Sequence, residues 1–519
     1  MAGRWIETWD PEDETFWREK GERVARRNLW FSVLSEHIGF SIWTLWSVMV
    51  LFMGPEYGID PAGKFFLIST ATLVGALVRV PYTFAVARFG GRNWTIFSAV
   101  SLLVPTLAAF WVMEPGTPYG TFVAVAALTG IGGGNFASSM TNINAFFPLR
   151  HKGWALGLNA GGGNIGVPVV QLVGLLVIGT LGASHPRIVL GVYIPLIVLA
   201  AVCAALYMDN LRPVKNDTGA ALEAVRDPHT WIMSVLYIGT FGSFIGYSFA
   251  FGLVLQTQFG RTPLQAASLT FVGPLLGSLI RPVGGRLADR YGGARITLAT
   301  FVAMAAATGV VIHASGTASL PVFLTGFTAL FVLTGLGNGS TYKMIPGIFH
   351  TKALARGLDG EAAAAHGRRL SGAAMGLIGA VGALGGLAIN LAFRQSFQAS
   401  GAGTAAFWSF LAFYGVCVTL TWAVYLRRTG ARPGPARLRG GVETARSGVV
   451  RRNGREIRGN RACHAPLAVS GLRTSRHQRE PSPVSGEPSR KPAGTQEPGN
   501  TPCRTTTQRT APSRASPSG

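Results

Sequence analysis

Residues 64–87 read KFFLISTATLVGALVRVPYTFAVA, and residues 269–288 read LTFVGPLLGSLIRPVGGRLA. Each stretch is apolar and long enough to cross the hydrocarbon core of a bilayer as a helix, which takes about 20 residues. Each also carries an arginine in its interior, Arg79 and Arg281, and neither contains an aspartate or glutamate to neutralise it. A charge at that depth costs about 3 kcal/mol on insertion scales and more by simulation, so it is kept where function needs it. Guanidinium stays ionised in almost any surroundings, and its planar fork of donors suits flat oxyanions. Two uncompensated cations inside a membrane bundle suggest a binding site for a small anion.

The rest of the chain has the same character. Only 13% of the 519 residues are charged, and mean hydropathy is +0.32; a soluble domain carries about a quarter charged residues. Apolar windows recur at about 29–52, 65–87, 94–113, 120–147, 154–180, 188–208, 231–256, 265–288, 296–315, 319–345, 371–393 and 405–426. The expectation is an all-α membrane protein with twelve transmembrane helices. Residues 1–28 are charged and lack the apolar core of a cleavable signal peptide.

Net charge is +23, of which +14 lies in residues 427–519, where 19 Lys/Arg face 5 Asp/Glu. The remainder clusters in alternate loops: Arg88 and Arg92, Arg150 and Lys152, Arg212, Lys215 and Arg226, Arg290 and Arg295, then Lys352, Arg356, Arg368 and Arg369. The opposite loops are nearly bare, so the positive-inside rule puts both termini in the cytoplasm and the protein in the cytoplasmic membrane. That distribution argues against a nucleic-acid partner and for anionic membrane lipid. Cys203 and Cys417 lie in apolar helices, and Cys463 and Cys503 lie in the tail, with no metal-ligand or redox spacing. No nucleophile–base pair appears either. The reading is a protein with no catalytic residues, metal or cofactor, acting as a monomer and not as an enzyme.

The two halves echo each other. Arg79 is followed nine residues later by Arg88-Phe89-Gly90-Gly91, and Arg281 nine residues later by Arg290-Tyr291-Gly292-Gly293, an offset of 202. Thr129-Gly130-Ile131-Gly132 recurs as Thr334-Gly335-Leu336-Gly337, an offset of 205. Equivalent helices six spans apart have the same orientation, which predicts two parallel six-helix repeats as in major facilitator transporters. The expected organisation is a cytoplasmic segment at 1–28, bundles at 29–209 and 231–426 joined by a cytoplasmic linker at 210–230, and a disordered basic tail at 427–519. The many glycines inside helices 4, 5, 10 and 11 predict close helix packing, compatible with sliding during transport.

Asn135, Ser138, Ser139 and Asn142 share one helix face, and Asn159 and Asn164 follow in the next helix. These amides suit an oxyanion, and they equally suit interhelical hydrogen bonding. Phe136, Tyr237 and Phe241 are candidate cavity walls, although packing explains each of them taken alone. Glu36 and His37, inside the first helix, are the candidates for proton coupling; solvation near the cytoplasmic end is the competing reading. Pro346 is expected to end helix 10, letting Lys343 reach the cytoplasm, and Asp289 belongs to a charged loop as a gate or structural pair.

Residues 132–167, GGGNFASSMTNINAFFPLRHKGWALGLNAGGGNIGV, closely resemble the nitrate/nitrite porter family of the major facilitator superfamily. So do RVPYTFAVARFGGRNW (79–94), YIGTFGSFIGYSFAF (237–251), GLGNGSTYKMIP (335–346) and AAMGLIGAVGALGGLAIN (373–390). The resemblance covers about Trp9 to Leu426 and implies that Arg79 and Arg281 clamp nitrate or nitrite. It further implies that Phe136 and Phe241 sandwich the planar ion, and that Tyr237 and Asn164 add hydrogen bonds. That family holds nitrate/nitrite exchangers and nitrate–proton symporters. Two facing arginines repel when the site is empty, which opposes closure of an unloaded carrier, so exchange is expected ahead of symport. A non-transporting anion sensor is the reading from another class, and no signalling domain accompanies it.

Overall fold

A computed structural model describes residues 4–212 and 217–427. Apart from Arg427, the tail expected to be disordered lies outside the described residues, as do Cys463, Cys503 and Lys215. Twelve helices are long and apolar enough to cross a membrane. They are α1 (Glu14–Phe52), α2 (Pro61–Phe89), α3 (Gly91–Val112), α4 (Tyr119–Phe146), α5 (Arg150–Leu181) and α6 (Pro186–Tyr207). The second six are α7 (Pro228–Phe259), α8 (Pro263–Tyr291), α9 (Gly293–Gly316), α10 (Leu320–Ala355), α11 (Gly360–Ser400) and α12 (Thr404–Leu426).

Several helices outrun their apolar windows, because hydropathy detects only the part that fits hydrocarbon. α1 begins at Glu14, in the segment expected to precede the bundle, and its polar turns carry i,i+4 pairs such as Glu22–Arg26 at 2.7 Å. Nor does Pro346 end α10, which continues to Ala355. Proline removes one backbone hydrogen bond, a loss that membrane helices tolerate when neighbours re-satisfy the carbonyl. Lys343 therefore sits on a continuous helix, paired with Asp289 of α8 at 3.2 Å. The linker is structured too. Asn210–Leu211 forms a two-residue parallel strand pair with Trp5–Ile6, and Thr218–Arg226 is a short helix capped by Asp217.

Glycines set how closely the helices approach. A Cβ on Gly130 of α4 would lie 2.8 Å from the Gly75 nitrogen of α2, and one on Gly335 of α10 would lie 2.1 Å from the Gly277 oxygen of α8. Gly75 and Gly277 are 202 residues apart, and Gly130 and Gly335 are 205 apart, the offsets of the sequence repeat. α2 and α8 also stop alike, at Gly90 (φ +86°) and Gly292 (φ +92°), a backbone region that L side chains rarely adopt.

The halves meet where α2 contacts α11, α5 contacts α8 and α1 contacts α7. On the side away from the described ends of the chain, Phe65 of α2 stacks on Phe393 and Phe397 of α11, with centroids 5.5 and 5.1 Å apart. Arg394 lies over the Phe66 ring at 4.7 Å, and Gln256 Nε2 of α7 donates to the Leu51 carbonyl of α1 at 3.2 Å. Toward the other side a Cβ on Gly376 of α11 would lie 3.3 Å from Thr83 Cγ2 of α2, while one on Gly153, Gly157 or Gly161 of α5, Gly285 of α8 or Gly372 of α11 meets nothing within 4 Å.

Candidate anion-binding site

Two irregular turns place the aromatic residues between the halves. In α4 the glycine run Gly130–Gly134 tightens into a 3₁₀ turn, pressed against Gly39 and Gly75, and Phe136 is the second residue after it. In α7 the backbone widens into a π turn at Ile238–Gly242, where Gly242 lies against Gly382 and Gly385 of α11. Such bulges recur at functional sites because they re-aim side chains. Here the widened turn holds Phe241, with Tyr237 just before it.

Arg79 of α2 is fully buried among these rings. Its Cζ lies 4.8 Å from the Phe136 ring centroid, 4.9 Å from that of Phe241 and 5.1 Å from that of Trp43. Nε donates to the Gly133 carbonyl of α4 and Nη1 to the Gly379 carbonyl of α11, each at 3.1 Å, while Nη2 has no partner. Arg281 of α8 is 8% exposed. Its Nη2 donates to the Tyr237 hydroxyl at 3.4 Å, and Nη1 has no partner. Among the described residues neither arginine forms an ion pair. Each guanidinium thus arrives from a different half and holds back one buried, unpartnered nitrogen. Buried polar groups are nearly always satisfied, and charged ones most of all, so unfilled donors of this kind mark a place for an acceptor.

Phe136 and Phe241 are brought together, but against each other: their centroids are 6.1 Å apart with planes 24° apart. A planar ion between two rings needs about 7 Å, twice a van der Waals contact of about 3.5 Å. In this conformation the rings stack on one another and flank Arg79. Tyr237 stacks on Phe241 at 5.2 Å and meets Tyr342 of α10 at 5.7 Å. Asn164 is buried with Oδ1 unpartnered, so it accepts from neither arginine.

The model for the Major Facilitator Superfamily matches residues 29–390. The chain is 39% identical to the nitrate/nitrite transporter NarU of Salmonella typhimurium over 447 residues, covering 82% of this chain and 96% of that protein. It is 32% identical to the probable nitrate/nitrite antiporter NarK2 of Thermus thermophilus, covering 83% of this chain and 98% of that one. The chain belongs to the nitrate/nitrite porter family of the major facilitator superfamily. The fold recurs in the xylose transporter XylE from E. coli in a partially occluded inward-open conformation, at a TM-score of 0.59 and 14% identity, over 79% of this chain and 100% of that one.

The polar residues of α4 and α5 take a different place in this porter than beside the arginines. Asn135 Nδ2 reaches the Ser35 carbonyl of α1 at 3.5 Å, and Asn142 lies against Gly91 at the start of α3. Ser139 and Asn159 both donate to Oε2 of Glu36, Asn159 at 2.6 Å. Glu36 is wholly buried and not solvated at a helix end. Next to it, His37 Nδ1 meets the Gly162 carbonyl of α5 at 3.3 Å. Sequence reasoning missed Trp43 and Tyr342, which give no local signal in aromatic-rich helices. It also missed the carbonyls of Gly133 and Gly379 that orient Arg79, because no residue type announces a main-chain acceptor.

Proposed function

We propose that this porter exchanges nitrate for nitrite across the cytoplasmic membrane by alternating access, with Arg79 and Arg281 as the anion clamp. The observation that carries this reading is the pair of buried guanidiniums from opposite halves, each with one unpartnered nitrogen and, among the described residues, neither in an ion pair. The curated relatives named as nitrate/nitrite transporters and antiporters support the same substrates. An anion between the arginines screens their repulsion and lets the halves close over it. With the site empty the repulsion opposes closure, so the efficient cycle returns a second anion. Phe136, Phe241 and Tyr237 wall the site, and the Phe136 and Phe241 rings must part by at least about 1 Å to admit a planar ion between them. Asn164, buried with its Oδ1 unpartnered, is the remaining hydrogen-bonding group.

The basic loops orient the porter with both termini in the cytoplasm. On that basis the ring contacts of Phe65 with Phe393 and Phe397 lie on the outer side of the site. The test is labelled-nitrate entry into proteoliposomes. Internal nitrite is expected to accelerate entry severalfold over nitrite-free vesicles; equal rates would rule out exchange as the main mode. One observation favours a second mode, proton-coupled nitrate uptake: the buried carboxyl group of Glu36.

A further inference from the structure

Trp43 of α1 takes no direct part in the clamp as described, yet its ring is one of the three around Arg79 and is 0% exposed. The fold builds a slot for it. Nε1 donates to the Ala71 carbonyl of α2 at 2.9 Å. A Cβ on Gly75 of α2 would run into Nε1, and one on Gly133 of α4 would lie 2.9 Å from Cε2. Two glycines from neighbouring helices thus leave the indole its space. Phe40 of α1 and Phe249 of α7 meet it edge-on at 5.5 and 6.0 Å. Phe249 belongs to the other half, so both sides of the seam enclose the ring.

The slot is tied to the arginine at two points. Gly75 lies four residues before Arg79 on α2, about one helical turn. Gly133 is the residue whose carbonyl accepts from Arg79 Nε. Arg79 Cζ then lies over the Trp43 ring at 5.1 Å. Tryptophan is the strongest aromatic partner for a cation, and most so where water is excluded. Geometry makes this partner compatible with anion binding. A guanidinium donates hydrogen bonds only in its own plane, whereas an aromatic ring engages its face. A carboxylate beside Arg79 would take up in-plane donors; the indole supports the charge and leaves Nη2 unpartnered.

We propose that Trp43 is a positioning residue for the anion clamp: seated between Gly75 and Gly133, its indole holds the Arg79 guanidinium so that Nη2 stays free for nitrate or nitrite. The inference rests on the arginine clamp and adds a residue that the clamp needs although it does not touch the ion. Its consequence is specific. Without the ring the guanidinium turns out of place between anions, so affinity falls. Turnover of the loaded carrier, set by movement of the halves, is kept. Phenylalanine in this position retains a ring face and loses only the bond to Ala71. Leucine retains apolar bulk and loses the face.

The experiment measures nitrate binding to the purified full chain by calorimetry, and nitrate/nitrite exchange in proteoliposomes. Trp43→Leu is expected to raise the nitrate Kd about 2- to 30-fold, the range a cation–π contact spans, and Trp43→Phe to raise it less. KM for exchange should rise with Kd, while the maximal rate per binding-competent protein stays at the parent level. Gly75→Ala presses on the indole without altering any ring or charge. It should therefore weaken nitrate binding as well, and add little when combined with Trp43→Leu. A parental Kd in Trp43→Leu, whatever its stability, means that the ring only fills space, and overturns the proposal while leaving the clamp intact. So does a Trp43→Phe variant that binds no better than Trp43→Leu, or full additivity with Gly75→Ala. If Trp43→Leu does not fold, Trp43→Phe and Gly75→Ala carry the test, and a parental Kd in both overturns the proposal. Absence of nitrate binding in the parent overturns the clamp and this inference together.

Discussion

Arg79 and Arg281 are held differently. Arg79 is oriented by two main-chain carbonyls from α4 and α11 and enclosed by three rings, whereas Arg281 leans on a single long hydrogen bond to Tyr237. Lysine cannot satisfy two carbonyls and still present a separate planar donor to an anion. Losing one charge-assisted hydrogen bond costs about 1.5–3 kcal/mol, roughly 10- to 100-fold in affinity. Arg79→Lys and Arg281→Lys are therefore expected to lose most labelled-nitrate transport at normal membrane abundance. Parent-level transport in both would mean that the site needs a positive charge there and not a guanidinium. The rings are tested without touching charge: Phe136→Ala and Phe241→Ala should weaken nitrate binding, measured by calorimetry, because Arg79 loses a flat wall. They should also lower thermal stability, since deleting a buried phenyl costs about 3–5 kcal/mol. Equal affinity of the parent for planar nitrate and pyramidal chlorate would argue against a slot.

At the scale of elements, glycines divide into two kinds. Gly335 meets the Gly277 carbonyl at van der Waals limits, while Gly161 faces open space. Overpacking a tight contact costs about 1–3 kcal/mol, so Gly335→Ala should lower the melting temperature in detergent and Gly161→Ala should not. An equal drop in both would mean that the close α8–α10 approach is not what Gly335 provides. The linker helix offers a second test. Asp217 caps it by accepting from the Ala220 nitrogen at 2.8 Å and pairs with Arg369, which holds its carboxyl down to about 2. A depressed carboxylate contributes fully above its unfolded value of about 4 and loses that contribution as pH falls toward 2. Hydrogen exchange over Thr218–Arg226 should therefore be insensitive to pH-driven opening above about 4 once corrected for intrinsic rates. Asp217→Asn keeps a good cap but weakens the pair, so it should loosen the helix less than Asp217→Ala does.

For the whole molecule, the inter-half contacts around Phe65, Phe393 and Phe397 have to separate in each cycle if the two sides of the site open alternately. Phe65→Cys with Phe393→Cys, in a background freed of the four native cysteines, should be trapped by a short bifunctional thiol reagent. Transport should stop and should return when a cleavable linker is reduced. Undiminished transport by the cross-linked protein would mean that this seam does not open.

The sequence by itself determined the twelve spans, the repeat and the two arginines, because these rest on properties each residue carries alone. Apolar runs cannot leave the bilayer, a buried guanidinium cannot discharge, and a glycine at a fixed offset marks a close approach. Helix ends were less legible: the polar turns of α1 before residue 29 and the turns of α10 beyond Pro346 lie outside what hydropathy registers. Only the tertiary structure decided which groups face one another. The polar face of α4 suggested an anion lining, yet Ser139 turns to Glu36 and Asn135 to α1. The family resemblance pairs Phe136 and Phe241 as a sandwich, but their stacking on one another across the halves, beside Trp43 and Arg79, depends on a tightened turn in α4 and a widened one in α7. Those distances are fixed by helix crossings between residues far apart in the chain, 103 positions for Glu36 and Ser139, and no local pattern encodes them.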